Sequence, residues 1–134
     1  MSRVFADTHS YIALLSRRDA DHVRAEEFLS QGKCTEVVTT VGVLLELADG
    51  MSGVRERESC ARFVAGIRAS GTTKLISLSD EIVERGLALY RSRVDKEWSL
   101  TDCNSFVVMA DEGLTDALTG DRHFEQAGFV ALLA

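Results

Sequence analysis

The sequence contains no proline and only three cysteines among its 134 residues. Cys34, Cys60 and Cys103 lie far apart and lack the CxxC spacing of a zinc site, and an odd number of cysteines cannot all pair in intramolecular disulfides. We therefore interpret all three as small buried hydrophobic residues. Without proline, the loops must be shaped by the ten glycines and by Asp, Ser and Thr.

The sequence also lacks a long apolar run. Its most apolar segment, residues 37–45, contains two threonines and a glycine and leads into Glu46, whereas a membrane span needs about 18 or more apolar residues. Residues 1–15 do not match a signal peptide, because Asp7, His9 and Ser10 interrupt what would be its apolar region. We expect a cytoplasmic protein without a membrane segment.

Basic residues are outnumbered. The chain has 15 lysines and arginines against 21 aspartates and glutamates, which gives a formal net charge of −6. This balance argues against a broad basic surface for nucleic acid. With 46% hydrophobic and 27% charged residues, the composition is typical of a globular protein, and the length fits a single domain spanning residues 1–134.

Short β-branched or apolar runs alternate with longer segments of helical period. Strands are predicted at residues 3–7, 34–40, 74–78, 115–119 and 128–133. Amphipathic helices are predicted at residues 23–29, 41–48, 60–67, 83–94 and 103–114. This alternation indicates right-handed β-α-β crossovers and a mainly parallel sheet of about five strands. The predicted fold is therefore α/β, a three-layer α/β/α sandwich.

Four carboxylates are predicted near one edge of this sheet. Ligands of open parallel sheets bind beyond the carboxyl ends of the strands. Asp7 ends the first predicted strand and Asp121 follows the fourth, so the two share this edge if those strands are parallel. Asp102 lies at the start of the 103–114 helix, and Glu46 lies beside the apolar stripe of the 41–48 helix. Both are placed to reach the same crevice.

Carboxylates gathered at one point need a counter-charge, because each raises the pKa of the others. A divalent cation supplies that charge, and ligation by oxygen alone suits Mg²⁺ or Mn²⁺ rather than zinc. Two such ions can activate a water and stabilise the leaving oxygen of a phosphodiester. The residues therefore predict metal-dependent phosphodiester hydrolysis, with one or two ions per site.

Four ordered segments resemble a known family. They are residues 5–15 (FADTHSYIALL), 43–48 (VLLELA), 98–106 (WSLTDCNSF) and 117–124 (ALTGDRHF), followed by Gly128 and Phe129. In this order, and over nearly the whole chain, they are similar to a PIN domain, and more narrowly to the VapC toxins of bacterial toxin–antitoxin pairs. The family's acidic residues fall on Asp7, Glu46, Asp102 and Asp121, the same four that the sheet-edge argument selects.

This resemblance implies a Mg²⁺- or Mn²⁺-dependent endoribonuclease. It implies that the protein is the toxin of a type II toxin–antitoxin pair. Such a toxin is expected to inhibit translation, to form a homodimer and to be held inactive by a cognate antitoxin. The four acids are then the metal ligands and catalytic residues. Thr8 and Thr119 lie next to or near an acid and are predicted to orient a water or a phosphate oxygen. The arginines predicted to contact RNA, because they lie nearest to the motifs in sequence, are Arg17, Arg18 and Arg122.

Each acid on the helices also has a purely structural interpretation. Asp102 fits a capping box with Ser99, and Asp121 fits the N-cap of a short helix. Glu46 fits a solvated helix surface. The alternative function is a non-catalytic PIN-like interaction module in an RNA-processing or regulatory complex, which binds metal without cleaving RNA.

Histidine and tryptophan suggest further roles that the sequence supports less well. His9 and His123 lie near the predicted edge, but a water can replace either in a two-metal mechanism. We expect His22 to pack against or cap a helix, and Trp98 to anchor the core.

Other enzyme classes are excluded by missing motifs. The first strand is followed by residues 7–10 (DTHS) instead of the GxGxxG of a dinucleotide-binding fold, and the sequence has no GxxxxGK[ST] phosphate-binding loop. An aspartyl-phosphate enzyme would place a second acid two residues after Asp7, where this chain has His9.

Overall fold

The computed structural model describes residues 2–134, and a five-stranded sheet lies at its centre. The strands are β1 (Ser2–Ala6), β2 (Cys34–Thr40), β3 (Thr73–Ile76), β4 (Asp116–Leu118) and β5 (Val130–Ala131). Their order is β3-β2-β1-β4-β5, and every neighbouring pair is parallel. The carboxyl ends of the strands therefore meet at one edge, with β1 in the middle.

Helices connect the strands. Those found within residues 2–134 are α1 (Thr8–Leu15), α2 (His22–Ser30), α3 (Val41–Gly50), α4 (Arg57–Ala69), α5 (Asp80–Ser92), α6 (Leu100–Asp111) and α7 (Arg122–Gln126). None of the helices in this described part of the chain is both long and apolar enough to cross a membrane.

The sheet separates two hydrophobic clusters, because successive residues of a strand point to opposite faces. On β1, Phe5 belongs to a cluster that includes Leu47 of α3 and Phe106 of α6. The preceding residue, Val4, belongs to a second cluster that includes Ala25 of α2. Helices thus cover both faces, and the predicted three-layer α/β/α sandwich is confirmed.

The largest differences between the predicted and the observed elements are at α1 and β5, and one cysteine differs in its burial. Helix α1 was not predicted, since its residues (THSYIALL) run from polar to apolar along the chain without a clear amphipathic period. Strand β5 has two residues instead of six, because its partner β4 is itself only three residues long. Cys60 and Cys103 are buried as predicted, whereas Cys34 is half-buried at the start of β2, and all three thiols are free.

Aromatic packing fixes the short helix α7 against α6. Phe124 is fully buried, and its ring meets that of Phe106 edge-on with centroids 5.0 Å apart. Trp98 packs edge-on against the same phenylalanine at 5.1 Å and donates a hydrogen bond from Nε1 to Gln126 Oε1 at 3.0 Å. Trp98 is therefore a core anchor, as predicted, and these contacts fix the relative position of residues at the start of α6 and of α7.

Helices α5 and α6 approach closely at Gly86. A Cβ placed on Gly86 would lie 1.9 Å from Oδ1 of Asn104 and 3.0 Å from its Cγ. Asn104 is only 5% exposed, and its Oδ1 has no hydrogen-bond partner. A methyl group at position 86 therefore meets a buried side chain with little room to move.

We expect Gly86→Ala to lower the free energy of unfolding by about 1–3 kcal/mol, because overpacking outweighs the gain in helix propensity. Gly66→Ala in α4 is the matched control, since a Cβ there meets no atom within 4 Å. That variant should be up to about 1 kcal/mol more stable than the parent. Urea denaturation of the three proteins checks the prediction, and equal stability of the two variants would contradict it.

Candidate active site

Asp7 occupies the junction between β1 and α1, at the carboxyl edge of the sheet. It is the N-cap of α1, with extended backbone angles, and its Oδ1 accepts a hydrogen bond from the Ser10 N–H at 3.2 Å. The Ser10 hydroxyl in turn donates to the Asp7 carbonyl at 2.8 Å. Asp7 is only 6% exposed, so its carboxylate is held in one orientation largely out of water.

Thr119 connects Asp7 to Asp121. Strands β1 and β4 are paired in parallel, with Ala6 opposite Leu118, so the residues that follow them lie side by side. The fully buried Thr119 hydroxyl donates to Asp7 Oδ2 at 2.8 Å and accepts a hydrogen bond from the Asp121 N–H at 2.9 Å. The parallel pairing on which the sequence argument depended is present.

Asp102 and Asp121 both cap helices, and both also face His123. Asp102 forms the predicted capping box, in which its Oδ2 accepts from the Ser99 N–H at 3.1 Å. Asp121 is the N-cap of α7, as the structural interpretation predicted, and accepts from the His123 N–H at 2.9 Å. The His123 Nδ1 lies 3.0 Å from Asp102 Oδ2 and 3.5 Å from Asp121 Oδ1. Capping therefore does not exclude a site role for either acid.

Glu46 lies on α3 and is joined to the site through Thr8. The Thr8 hydroxyl donates a hydrogen bond to Glu46 Oε1, and Thr8 directly follows Asp7 at the start of α1. Glu46 is half-buried and is not simply a solvated surface residue. Among residues 2–134, no hydrogen bond joins it to the other three acids, so its place in the site depends on Thr8.

Burial changes the ionisation of two of these acids. Desolvation raises the pKa of the Asp7 carboxyl from 3.8 to about 7, although hydrogen bonds from Thr119 and Ser10 favour its charged form. Burial also raises the pKa of the Asp102 carboxyl, against the opposing effects of the Ser99 N–H and His123. Asp121 raises both values further through like-charge repulsion. Ionising Asp7 and Asp102 is therefore costly unless a cation compensates their charge.

The site has little positive charge of its own. Within the described residues, no lysine or arginine forms an ion pair with Asp7, Glu46, Asp102 or Asp121, and His123 is the one basic side chain within 4 Å of an acid of this set. Carboxylate oxygens are the ligands that Mg²⁺ and Mn²⁺ prefer. Among residues 2–134, Asp102 and Asp121 fit a divalent cation, because with His123 they offer ligand atoms within 4.8 Å of one another. Asp7 and Glu46 lie outside that group and are joined to the site through Thr119 and Thr8.

The three predicted RNA-contacting arginines are exposed. Arg17 and Arg18 lie in the turn after α1, and Arg122 is the first residue of α7, directly after Asp121. In residues 2–134 none of them forms an ion pair. Their contact with RNA stays a prediction.

The other histidines have structural partners. His9 Nε2 lies 2.9 Å from Asp21 Oδ2, and a Cβ on Gly120 would fall 2.9 Å from the same nitrogen, so glycine at 120 leaves room for this imidazole. His22 Nδ1 contacts the Ala13 carbonyl oxygen at 2.7 Å, which links α2 to α1, as expected of a packing residue. The sequence did not predict that His123 contacts two of the acids. Its position two residues after Asp121 could have suggested this contact.

Comparisons with known proteins agree with this geometry. The chain matches the PIN domain family over residues 4–130. It is 31% identical to the 23S rRNA-specific endonuclease VapC20 of Mycobacterium tuberculosis over 130 aligned residues. This alignment covers 95% of each chain. The crystal structure of that protein, described as a toxin that cleaves the sarcin–ricin loop, superposes with a TM-score of 0.87 at 27% identity over 95% of this chain and 96% of the other.

More distant structures share the fold. VapBC2 from Rickettsia felis, bound to a promoter DNA fragment, gives a TM-score of 0.68 at 13% identity, covering 98% of this chain and 97% of the other. FitAcB from Neisseria gonorrhoeae gives 0.64 at 19% identity, covering 98% and 95%. Because the family match spans residues 4–130 and the sheet order, the sheet-edge acids and the VapC20 likeness all agree, the chain belongs to the PIN domain family.

Proposed function

We propose that this protein is a metal-dependent endoribonuclease that hydrolyses RNA phosphodiester bonds, and that it is the toxin of a type II toxin–antitoxin pair. The observation that carries the proposal is the carboxyl edge of the sheet. There Asp102 and Asp121 approach each other at His123, Asp7 is joined to Asp121 through Thr119, and none of the three acids forms an ion pair with a lysine or arginine of residues 2–134. The likeness to a protein named as a 23S rRNA-specific endonuclease supports the same reaction class.

Asp7, Glu46, Asp102 and Asp121 are the proposed metal ligands and catalytic residues, for Mg²⁺ or Mn²⁺ and for one or two ions. When bound, such an ion lowers the pKa of a water and stabilises negative charge on phosphoryl oxygens. The fit rests on the donor chemistry of the site, which among residues 2–134 offers carboxylate oxygens and the His123 imidazole but no cysteine thiolate of the kind that holds a structural zinc.

The remaining residues of the site position these carboxylates. Thr119 orients Asp7 Oδ2 and, through its contact with the Asp121 N–H, also fixes the start of α7. Thr8 orients Glu46, and Ser99 orients Asp102 through the capping box. Because these contacts exist before any substrate binds, the carboxylates need little rearrangement when the reaction begins.

Ribosomal RNA is the proposed substrate class, and translation is the process that its cleavage would stop. VapC20 is named for 23S rRNA and is described as acting on the sarcin–ricin loop. The exposed Arg17, Arg18 and Arg122 are proposed to bind phosphates, since the site itself is acidic and repels them. A cytoplasmic location is proposed because it gives access to ribosomes.

The assembly is also proposed. A cognate antitoxin that holds the enzyme inactive and a homodimer follow from membership in the family and from the likeness to a protein described as a toxin. We further propose that residues 1–134 form a single domain, since both hydrophobic clusters pack on the same sheet. Sedimentation of the purified chain, alone and with the antitoxin, measures the assembly, and a monomer at micromolar concentration would contradict the dimer.

The test of the proposed function is cleavage of RNA by the purified chain. A sarcin–ricin loop oligonucleotide and a single-stranded RNA are incubated with chelator, Mg²⁺ or Mn²⁺, and products are resolved by gel. We expect cleavage only with metal, and restoration when metal is added back to chelated protein. Metal binding without cleavage of these RNAs or of intact ribosomes would favour the non-catalytic interaction module.

A further inference from the structure

His123 is the residue of the site that the carboxylate mechanism does not use. It is the second residue of α7, and its side chain is 30% exposed. Its backbone N–H is bonded to Asp121, and Phe124 next to it is buried in the core, so the base of the side chain is fixed. The Nδ1 atom consequently faces Asp102 and Asp121 while the outer part of the ring remains accessible.

The spacing of the three side chains matches that of ligands around one ion. Asp102, Asp121 and His123 each offer one atom, and these atoms lie within 4.8 Å of one another. Adjacent ligands of an octahedral ion with bonds of about 2.1 Å lie about 3.0 Å apart. The separation of His123 Nδ1 from Asp102 Oδ2 is 3.0 Å, and from Asp121 Oδ1 it is 3.5 Å.

We propose that His123 is a nitrogen ligand of the metal in this site, and that it gives the site a preference for Mn²⁺ over Mg²⁺. Mg²⁺ binds almost entirely to oxygen. Mn²⁺ also prefers oxygen ligands, but as a first-row transition-metal ion it accepts an imidazole nitrogen more readily than Mg²⁺ does. One imidazole among the carboxylates therefore favours Mn²⁺ over Mg²⁺, whereas oxygen ligation alone is compatible with both ions. The inference rests on the proposed metal site but not on the identity of the RNA.

A purely structural role for His123 makes a different prediction. In that case the imidazole donates a hydrogen bond to Asp102 Oδ2 and only positions this carboxylate. Removal of the imidazole would then weaken Mg²⁺ and Mn²⁺ equally, and bound Mn²⁺ would show no nitrogen neighbour. The two roles are therefore separable by spectroscopy and by the ratio of the two affinities.

The experiment measures Mn²⁺ binding to the purified protein by electron paramagnetic resonance, with pulsed detection of ¹⁴N coupling and with Mg²⁺ as competitor. We expect imidazole nitrogen coupling in the parent protein and its loss in His123→Gln, whose amide oxygen can replace the nitrogen. The variant should bind Mn²⁺ about 10-fold more weakly, whereas its Mg²⁺ affinity should change less than about 3-fold.

His9→Gln is the matched control, because His9 is near the site but contacts Asp21 and forms no ion pair with Asp102 or Asp121 among residues 2–134. It should keep the nitrogen coupling. Absence of coupling in the parent, its survival in His123→Gln, or an equal loss of both ions would overturn the proposal. If the parent protein cleaves RNA but shows no nitrogen coupling, the proposed function stands and the ligand role of His123 fails. If it shows coupling but cleaves no RNA, the ligand role stands and the proposed function fails.

Discussion

Replacement of Asp7 by asparagine is expected to reduce metal-dependent RNA cleavage by on the order of 10³-fold or more, because it removes the charge of a proposed metal ligand. The substitution preserves shape. The asparagine Oδ1 can still accept from the Ser10 N–H, and its amide can donate to the Thr119 hydroxyl, so the N-cap of α1 is retained. The expected loss is therefore one of activity and not of folding.

Initial rates of RNA cleavage with saturating Mn²⁺ measure this effect. Asp49→Asn is the control, since Asp49 is an exposed acid on α3 and its replacement changes the net charge by the same amount. That variant should cleave RNA at nearly the parent rate. Circular dichroism confirms that both variants are folded, and a folded, fully active Asp7→Asn protein would falsify the proposed role of Asp7.

The second large effect concerns the stability of the metal-free protein. The pKa of Asp7 is raised from 3.8 to about 7 by burial, so the folded state binds a proton more tightly than the unfolded state. Unfolding releases this proton between about pH 4 and pH 7, and stability therefore falls as the pH rises through that window. A shift of this size corresponds to about 4 kcal/mol of unfolding free energy, and all of this stabilisation is lost once the pH exceeds the pKa of Asp7 in the folded state.

Asp7→Asn isolates this contribution, because its amide does not titrate. The difference in unfolding free energy between parent and variant, measured by urea denaturation in chelator from pH 4 to pH 8, should grow in favour of the variant by about 4 kcal/mol. Acids that are paired on the surface, such as Glu112 with Arg3 and Lys74, have lowered pKa values and are common to both proteins, so their effects cancel. A difference independent of pH would contradict the burial argument.

Bound metal should oppose the pH effect on the stability of the parent protein. Binding requires ionised carboxylates, so added Mn²⁺ stabilises the folded state more at pH 8 than at pH 5. The same urea titrations with Mn²⁺ measure this, and Asp7→Asn should gain much less. Ionised Asp7 thus destabilises the metal-free protein and stabilises the metal-bound protein.

Much of the fold was predictable because it depends on local patterns. The β-branched run 34–40 became β2 with the predicted bounds, and the stripe after Trp98 became α6. Helix α1 was missed, because the periodicity of residues 8–15 is weak and the helix depends on the Asp7 N-cap and on packing against both clusters. Tertiary contacts outweigh weak local preference in such short elements.

The candidate site was predictable in part for the same reason. Asp7 follows an apolar run and Asp121 follows another, so a parallel sheet alone places them together. Two contacts of the site join residues that are far apart in the chain: Thr8 with Glu46, and His123 with Asp102. A rule based on sequence spacing cannot predict such contacts.

Consecutive residues alone were enough to derive the α/β class, the alternation of strands and helices, and the acids that follow the strands, because side-chain period and polarity are local properties. They could not show that Asp7 is buried enough to raise its pKa, that Thr119 joins it to Asp121, or that the His123 imidazole lies beside Asp102 and Asp121. Desolvation and coordination depend instead on distances between elements, and packing of Phe124 and Trp98 against Phe106 sets those distances for α7 and α6.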